Sequence, residues 1–229
     1  FKTLLICSEN NYSSISDYRL WPETYRAGLN KKKNRFGLNY SLLSPSYWKK
    51  NYRKNNIKKI KNILITFGGC DHLNLSEMFI NTLNFYNKKL IIKIVIGKFY
   101  KNIKNIKSAA KNSIHKVKLI YQPYGLYNYL IKSDLVINGG GTTALETNSL
   151  RINSITMAIW KSQEKLTTTI SKNKNYILCT NKSKFKLKKE IQKLLERNLY
   201  EKAKSIKTFR AVDGKGCIRT AKWIKSLIH

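Results

Sequence analysis

From residue 62 onward, short apolar runs alternate with stretches whose apolar residues recur every three or four positions. The runs are NILITFGG (62–69), LIIKIVIG (90–97), KVKLIYQPYG (116–125), DLVINGGG (134–141), SITMAI (154–159) and NYILC (175–179). Each is rich in Ile, Leu and Val and closes on Gly, Pro or polar residues, which predicts strands buried on both faces. Between them, NLSEMFINTLNFY (74–86), 101–113, LYNYLIKS (126–133), TTALETNSL (142–150) and Gln163–Lys172 carry helical spacing. Asn74 or Ser76 is placed to cap the first of these. KLKKEIQKLLERN (186–198), LYEKAKSIKTFR (199–210) and CIRTAKWIKSLI (217–228) predict closing helices. Strands alternating with helices imply right-handed parallel βαβ units, hence an α/β fold with a Rossmann-like parallel sheet. A ligand is then expected at the carboxyl ends of the strands, near the switch point.

The stretch INGGGTTALETNSL (137–150) puts three glycines where the fourth strand ends and a helix begins. Glycine lets backbone approach a ligand closely, and the first turn of a helix presents unpaired N–H groups with partial positive charge. A phosphate fits there. Glu146, one turn in, is suited to accepting hydrogen bonds from vicinal hydroxyls such as a ribose diol. The competing expectation is a tight turn without a ligand, with Glu146 a solvated first-turn acid. A second glycine turn, FGGCDHLN (67–74), follows the first strand of this region. In a 3-2-1-4-5-6 sheet those two strands are neighbours, so both turns would flank one crevice.

Before residue 62 the pattern is weaker. TLLIC (3–7) reads as a strand and is followed by a polar stretch containing Trp21 and Pro22. Residues 30–59 read as a linker with a short ordered centre from Tyr40 to Tyr47.

Composition narrows the partners. The 229 residues carry a formal charge of +33, with 37 Lys against 8 Arg. The lysines are spread over the whole length, and base readout or bidentate phosphate grip favours Arg. No specific nucleic-acid binding is expected; a weak, salt-sensitive attraction to an anionic membrane surface is. No apolar run reaches the length of a membrane span, and no signal peptide is read. Cys7, Cys70, Cys179 and Cys217 form no CxxC pair, and neither they nor His72, His115 and His229 have metal-ligand spacing, so reduced thiols, no metal and a cytoplasmic location are expected. Asp71, Asp134 and Asp213 sit beside glycines or at element ends, where they would cap or turn.

The order LNYSLLSP, ILITFGGCDHLNL, DLVINGGGTTALET, NSITMAIWKSQEK, VDGKGCIRTAKWI resembles the C-terminal half of the UDP-2,4-diacetamido-2,4,6-trideoxy-β-L-altropyranose hydrolases of pseudaminic acid biosynthesis. That family is similar in fold to the GT-B glycosyltransferase that makes lipid II. The resemblance covers roughly Phe36 to the C-terminus. It implies that Gly140, Gly141, Thr142 and Thr143 hold a diphosphate, that Glu146 takes the ribose, and that Gly68 and Gly69 border the same cleft. Gln163 matches one residue of the family's Asn-Gln pair that reaches the sugar, and Ser162 replaces the Asn. No cofactor is implied.

The resemblance divides the chain into residues 1–35, the remnant of an N-terminal Rossmann-like domain with its linker, and a C-terminal UDP-sugar-binding domain, 36–229. The family's glycine loop carrying a general-base His has no counterpart here, and nothing in the family pattern makes His72 that base. The chain is therefore expected to be a fragment of a hydrolase, a degenerate binder, or half of a two-chain enzyme whose partner supplies the other domain. The leading expectation is a UDP-sugar hydrolase present mainly as its nucleotide-binding half. The alternatives are a GT-B glycosyltransferase and a non-catalytic nucleotide-sugar-binding subunit. Trp160 is expected to pack at the end of its strand or to stack on a base or sugar. The DGKG turn (213–216) is expected to be structural.

Overall fold

A computed structural model describes residues 2–7, 16–22, 29–48, 60–171, 176–178, 188–189, 191–192, 195 and 211–228. The expected closing helix at 199–210, along with Cys179 and His229, lies outside them.

Three short strands come first: β1 (Leu4–Ile6), β2 (Tyr18–Trp21) and β3 (Asn34–Phe36). They form a parallel sheet in the order β1-β2-β3. The expectation of one strand followed by polar chain and linker is corrected here. YRLW and NRF are too short and too polar to register as apolar runs, and neighbours supply their pairing. The division expected after residue 35 falls inside β3. Two 3-10 turns, Leu38–Tyr40 and Pro45–Tyr47, follow, matching the expected ordered centre.

The larger sheet contains β4 (Asn62–Thr66), β5 (Ile91–Ile96), β6 (Lys116–Tyr121), β7 (Leu135–Gly139), β8 (Ser154–Met157) and β9 (Tyr176–Leu178). All pairs are parallel and the order is β6-β5-β4-β7-β8-β9. This is the expected 3-2-1-4-5-6 arrangement of a Rossmann-like sheet. The helices are α1 (Leu75–Leu83), α2 (Ile103–Asn112), α3 (Tyr127–Leu130), α4 (Thr142–Ser149), α5 (Lys161–Ser171) and α6 (Gly216–Ile228).

Alternation along the strands sorts the helices onto two faces. Ile63, Ile65 and Ile137 pack with Leu75, Phe79, Ile80 and Ile106 of α1 and α2. Leu64 and Val136 face the other way, against Ala144 and Leu145 of α4, Leu166 and Ile170 of α5, and Leu43 and Tyr47 of the preceding segment. Both cores are almost wholly buried, as expected for a parallel sheet covered on both sides.

At the amino ends of the strands, Asp134 accepts hydrogen bonds from the backbone of Lys61 and Asn62 at 3.0 and 2.7 Å. This ties β7 to the start of β4 and leaves the carboxyl ends for a site. The DGKG turn is structural, as expected. Gly214 has φ +79°, and a Cβ on Gly216 would stand 2.1 Å from the Ser41 carbonyl. Asp213 pairs with Arg219, and Val212 N–H donates to Asn148 Oδ1 at 3.0 Å. The C-terminal helix is thereby fixed to the 38–48 segment and to α4.

Candidate functional site

Two glycine turns stand side by side at the carboxyl ends of β4 and β7, which are hydrogen-bonded neighbours. The turn after β7 is built by close packing. Gly140 N–H donates to the Met157 carbonyl at 2.8 Å. A Cβ on Gly140 would stand 2.5 Å from Thr167 Cγ2 and 3.1 Å from Gln163 Cβ. The glycines let this turn lie directly on α5. Gly141 is the residue before α4 and has no side chain to cap it. Ala144 N–H, in the first turn, donates to the Gly141 carbonyl at 2.9 Å. Thr142 is exposed and Thr143 half-buried beside them.

Glu146 is half-buried on α4. Burial raises its pKa above the ordinary carboxylate value, and a hydrogen bond from the Tyr47 hydroxyl opposes the rise. Tyr47 is itself buried and packs edge-on against Tyr127, ring centroids 5.5 Å apart. Burial first, then the charge of Glu146, drives its phenol well above the ordinary value, so it stays a proton donor. Sequence reasoning missed Tyr47. The signal was a tyrosine in SPSYW, but its partner lies about a hundred residues away and no local pattern connects them.

Gln163 caps its own helix. Its Oε1 accepts from Ile159 N–H at 2.9 Å and Trp160 N–H at 3.4 Å. Its amide nitrogen is 3.7 Å from where a Gly141 Cβ would stand, so the side chain faces the glycine turn as well. Ser162, next to it, is exposed.

The turn after β4 is different. Gly68 has φ +75° with open space around it, and Gly69 is exposed. The helix that follows is capped by Asp71, not by Asn74 or Ser76 as expected. Asp71 Oδ1 and Oδ2 accept from Leu75 and Ser76 N–H at 2.9 and 2.8 Å. Asn74 occupies the cap position in a left-handed conformation and makes no side-chain cap bond. Gly97, which sequence reasoning also missed, presses on this turn. A Cβ there would stand 2.3 Å from the Gly69 carbonyl oxygen and 2.6 Å from that of Gly68.

The described histidines lie apart from any metal set. His72 is exposed and stacks on Trp160, and His115 is buried with Nε2 2.9 Å from the Leu83 carbonyl. Cys70 and Cys217 are free. No group of three His, Cys, Asp or Glu side chains is placed to hold a metal among the described residues. No described helix is long and apolar enough to cross a membrane.

The sequence matches no protein-family model and no curated protein. Among solved structures the chain is similar to MurG of Acinetobacter baumannii, 14% identical with a TM-score of 0.59, over 86% of this chain and 59% of that one. It is similar to the UDP-GlcNAc 2-epimerase of Methanocaldococcus jannaschii, solved with UDP-GlcNAc and UDP, 20% identical with a TM-score of 0.60, over 93% and 62%. It is also similar to the glycotransferase of kitacinnamycin, 12% identical with a TM-score of 0.62, over 93% and 55%. The likeness is one of fold. The chain spans about six tenths of the length of these neighbours.

Proposed function

We propose that the chain binds a UDP-sugar at the carboxyl ends of β4 and β7 and forms the nucleotide-binding half of an enzyme that processes it. The observation that carries this reading is the glycine turn packed on α5 at the N-terminus of α4, with Glu146 one turn further in. In it, Gly140, Gly141, Thr142 and Thr143 hold the diphosphate through N–H and hydroxyl groups, and Gly68 and Gly69 border the crevice. Glu146, oriented by Tyr47, accepts the ribose hydroxyls. Gln163 and Ser162 stand toward the sugar. The helix N-terminus would also stabilise charge building on a departing diphosphate.

The finer reading, supported by the five motifs in order, is a UDP-sugar hydrolase that releases UDP from a diacetamido-trideoxy-hexose. Water attacks the anomeric carbon and the C–O bond to UDP breaks. That step needs a general base within hydrogen-bond reach. Neither described histidine near or within this domain is assigned that part; the base would come from an N-terminal domain, in this chain or in a partner. Transfer to a sugar or lipid acceptor in place of water is the second reading, favoured by the high positive charge, which suits an anionic surface.

Calorimetric titration with UDP, at two salt concentrations and alongside Glu146→Ala, tests the shared part of both readings. Saturable binding that prefers UDP to other nucleoside diphosphates and weakens in the variant is expected. Equal binding of all polyanions that vanishes with salt would mean that net charge alone is responsible.

A further inference from the structure

The mouth of the crevice holds one contact that the proposed function leaves unused. His72 and Trp160 stack with ring centroids 4.6 Å apart and planes inclined by 21°. His72 follows β4 and Trp160 follows β8, and β7 lies between those strands. The pair therefore bridges the end of β7, across two strand spacings of about 10 Å, where the Gly139–Gly141 turn stands. Both rings are exposed, Trp160 at 57%. Core burial does not account for two aromatic rings meeting in solvent from residues 88 positions apart.

Each ring is held from behind. The Trp160 backbone is fixed by Gln163, whose amide also faces Gly141. His72 follows Asp71, which is buried and bonded to the first turn of α1.

The two faces of the sheet supply a direction. Glu146 and Tyr47 lie on the face of Leu64 and Val136, whereas the turn carrying His72 leads to α1 on the face of Ile63 and Ile65. A nucleoside diphosphate with its ribose at Glu146 and its phosphates at α4 would run from the first face across the sheet edge. The group on its distal phosphate would then pass the end of β7 that the pair spans, toward the second face on the side of His72.

We propose that His72 and Trp160 form the wall that meets the sugar of the bound nucleotide sugar and help set which sugar is held; this rests on the nucleotide-binding reading above. A pyranose ring offers C–H groups to an aromatic face and hydroxyls to imidazole nitrogens. A pair already stacked presents those surfaces without a further ordering cost.

Calorimetry with UDP and UDP-N-acetylglucosamine as separate probes tests the wall in the wild-type chain, His72→Ala, Trp160→Ala and Trp160→Phe. Each alanine variant is expected to weaken the sugar nucleotide about fivefold and UDP by less than about twofold, the size of one lost aromatic contact. Trp160→Phe should recover most of the loss. Equal loss for both probes, or loss for neither, overturns the wall while leaving nucleotide binding intact. A wild-type chain that binds neither probe overturns the nucleotide reading and the wall together.

Discussion

The two glycine turns look alike in sequence and use their glycines for opposite reasons. After β4, Gly68 supplies a left-handed backbone in open space, and Asp71 places its carboxylate on the N–H groups of α1. A negative charge already occupies the position that an anion would need. After β7, Gly140 is needed because α5 lies against it, and the helix that follows starts from Gly141, which has no side chain to cap it. Of two neighbouring helix N-termini at one crevice, α1 takes its acceptor from the Asp71 carboxylate, whereas the N-cap residue of α4 is Gly141, which has no side chain to supply one. What separates a structural turn from a candidate phosphate site is therefore the residue three places on, Asp71 in one and Thr143 in the other, more than the glycine count.

The comparison breaks first at the tightest contacts. In Gly97→Ala the new methyl meets the carbonyl oxygens of both Gly68 and Gly69, backbone atoms that cannot rotate away. A loss of about 3 kcal/mol is expected, the upper part of the usual range for overpacking. Gly140→Ala meets Thr167 Cγ2, a side-chain methyl with some room to adjust, and should cost about 2 kcal/mol. Gly68→Ala meets nothing and should cost only the left-handed conformation, about 1 kcal/mol. Urea unfolding midpoints read this order. If Gly68→Ala proved the most damaging, the distinction between an open turn and a packed one would be wrong.

Asp71→Ala sharpens the other half. Losing the two bonds to Leu75 and Ser76 should cost about 1–2 kcal/mol in the same unfolding measurement, a typical N-cap loss. UDP affinity should stay the same or rise, because removing the carboxylate lifts a repulsion from the crevice. A marked fall in affinity in a folded variant would mean that the first turn touches the nucleotide after all.

Much of the fold was legible because buried parallel strands are continuous apolar runs, and six of them fix the order of the larger sheet. The strands β2 and β3 were not, since Tyr18–Trp21 and Asn34–Phe36 are brief and mixed, and pairing with neighbours defines them. Within the site, the glycines and Glu146 announced themselves by local pattern. Gly97 looked like an ordinary strand-ending glycine; its constraint comes from carbonyls almost thirty residues earlier in the chain. Tyr47 and the His72–Trp160 stack were hidden for the same reason, because a contact between distant residues leaves no periodicity to read.

The finest test of the α4 side lies in Glu146, through two quantities that should move in opposite directions with pH. Burial raises its pKa in the folded chain, and the Tyr47 hydrogen bond limits the rise. The folded state therefore holds a proton where the unfolded state has released it. Stability attributable to this group is full at low pH and falls as pH rises from the ordinary carboxylate value through the folded one. Glu146→Gln should flatten that part of the stability profile, and Tyr47→Phe should push the decline to higher pH. Accepting two ribose hydroxyls needs the ionised carboxylate, so UDP affinity should rise over the same window. The phosphate of UDP has its own titration near pH 6, so the informative quantity is the difference between wild type and Glu146→Gln. A wild-type advantage in affinity that grows with pH, while wild-type stability falls below that of Glu146→Gln, would tie both effects to one carboxylate. Identical pH profiles in the two proteins would mean that Glu146 neither titrates in this range nor touches the nucleotide.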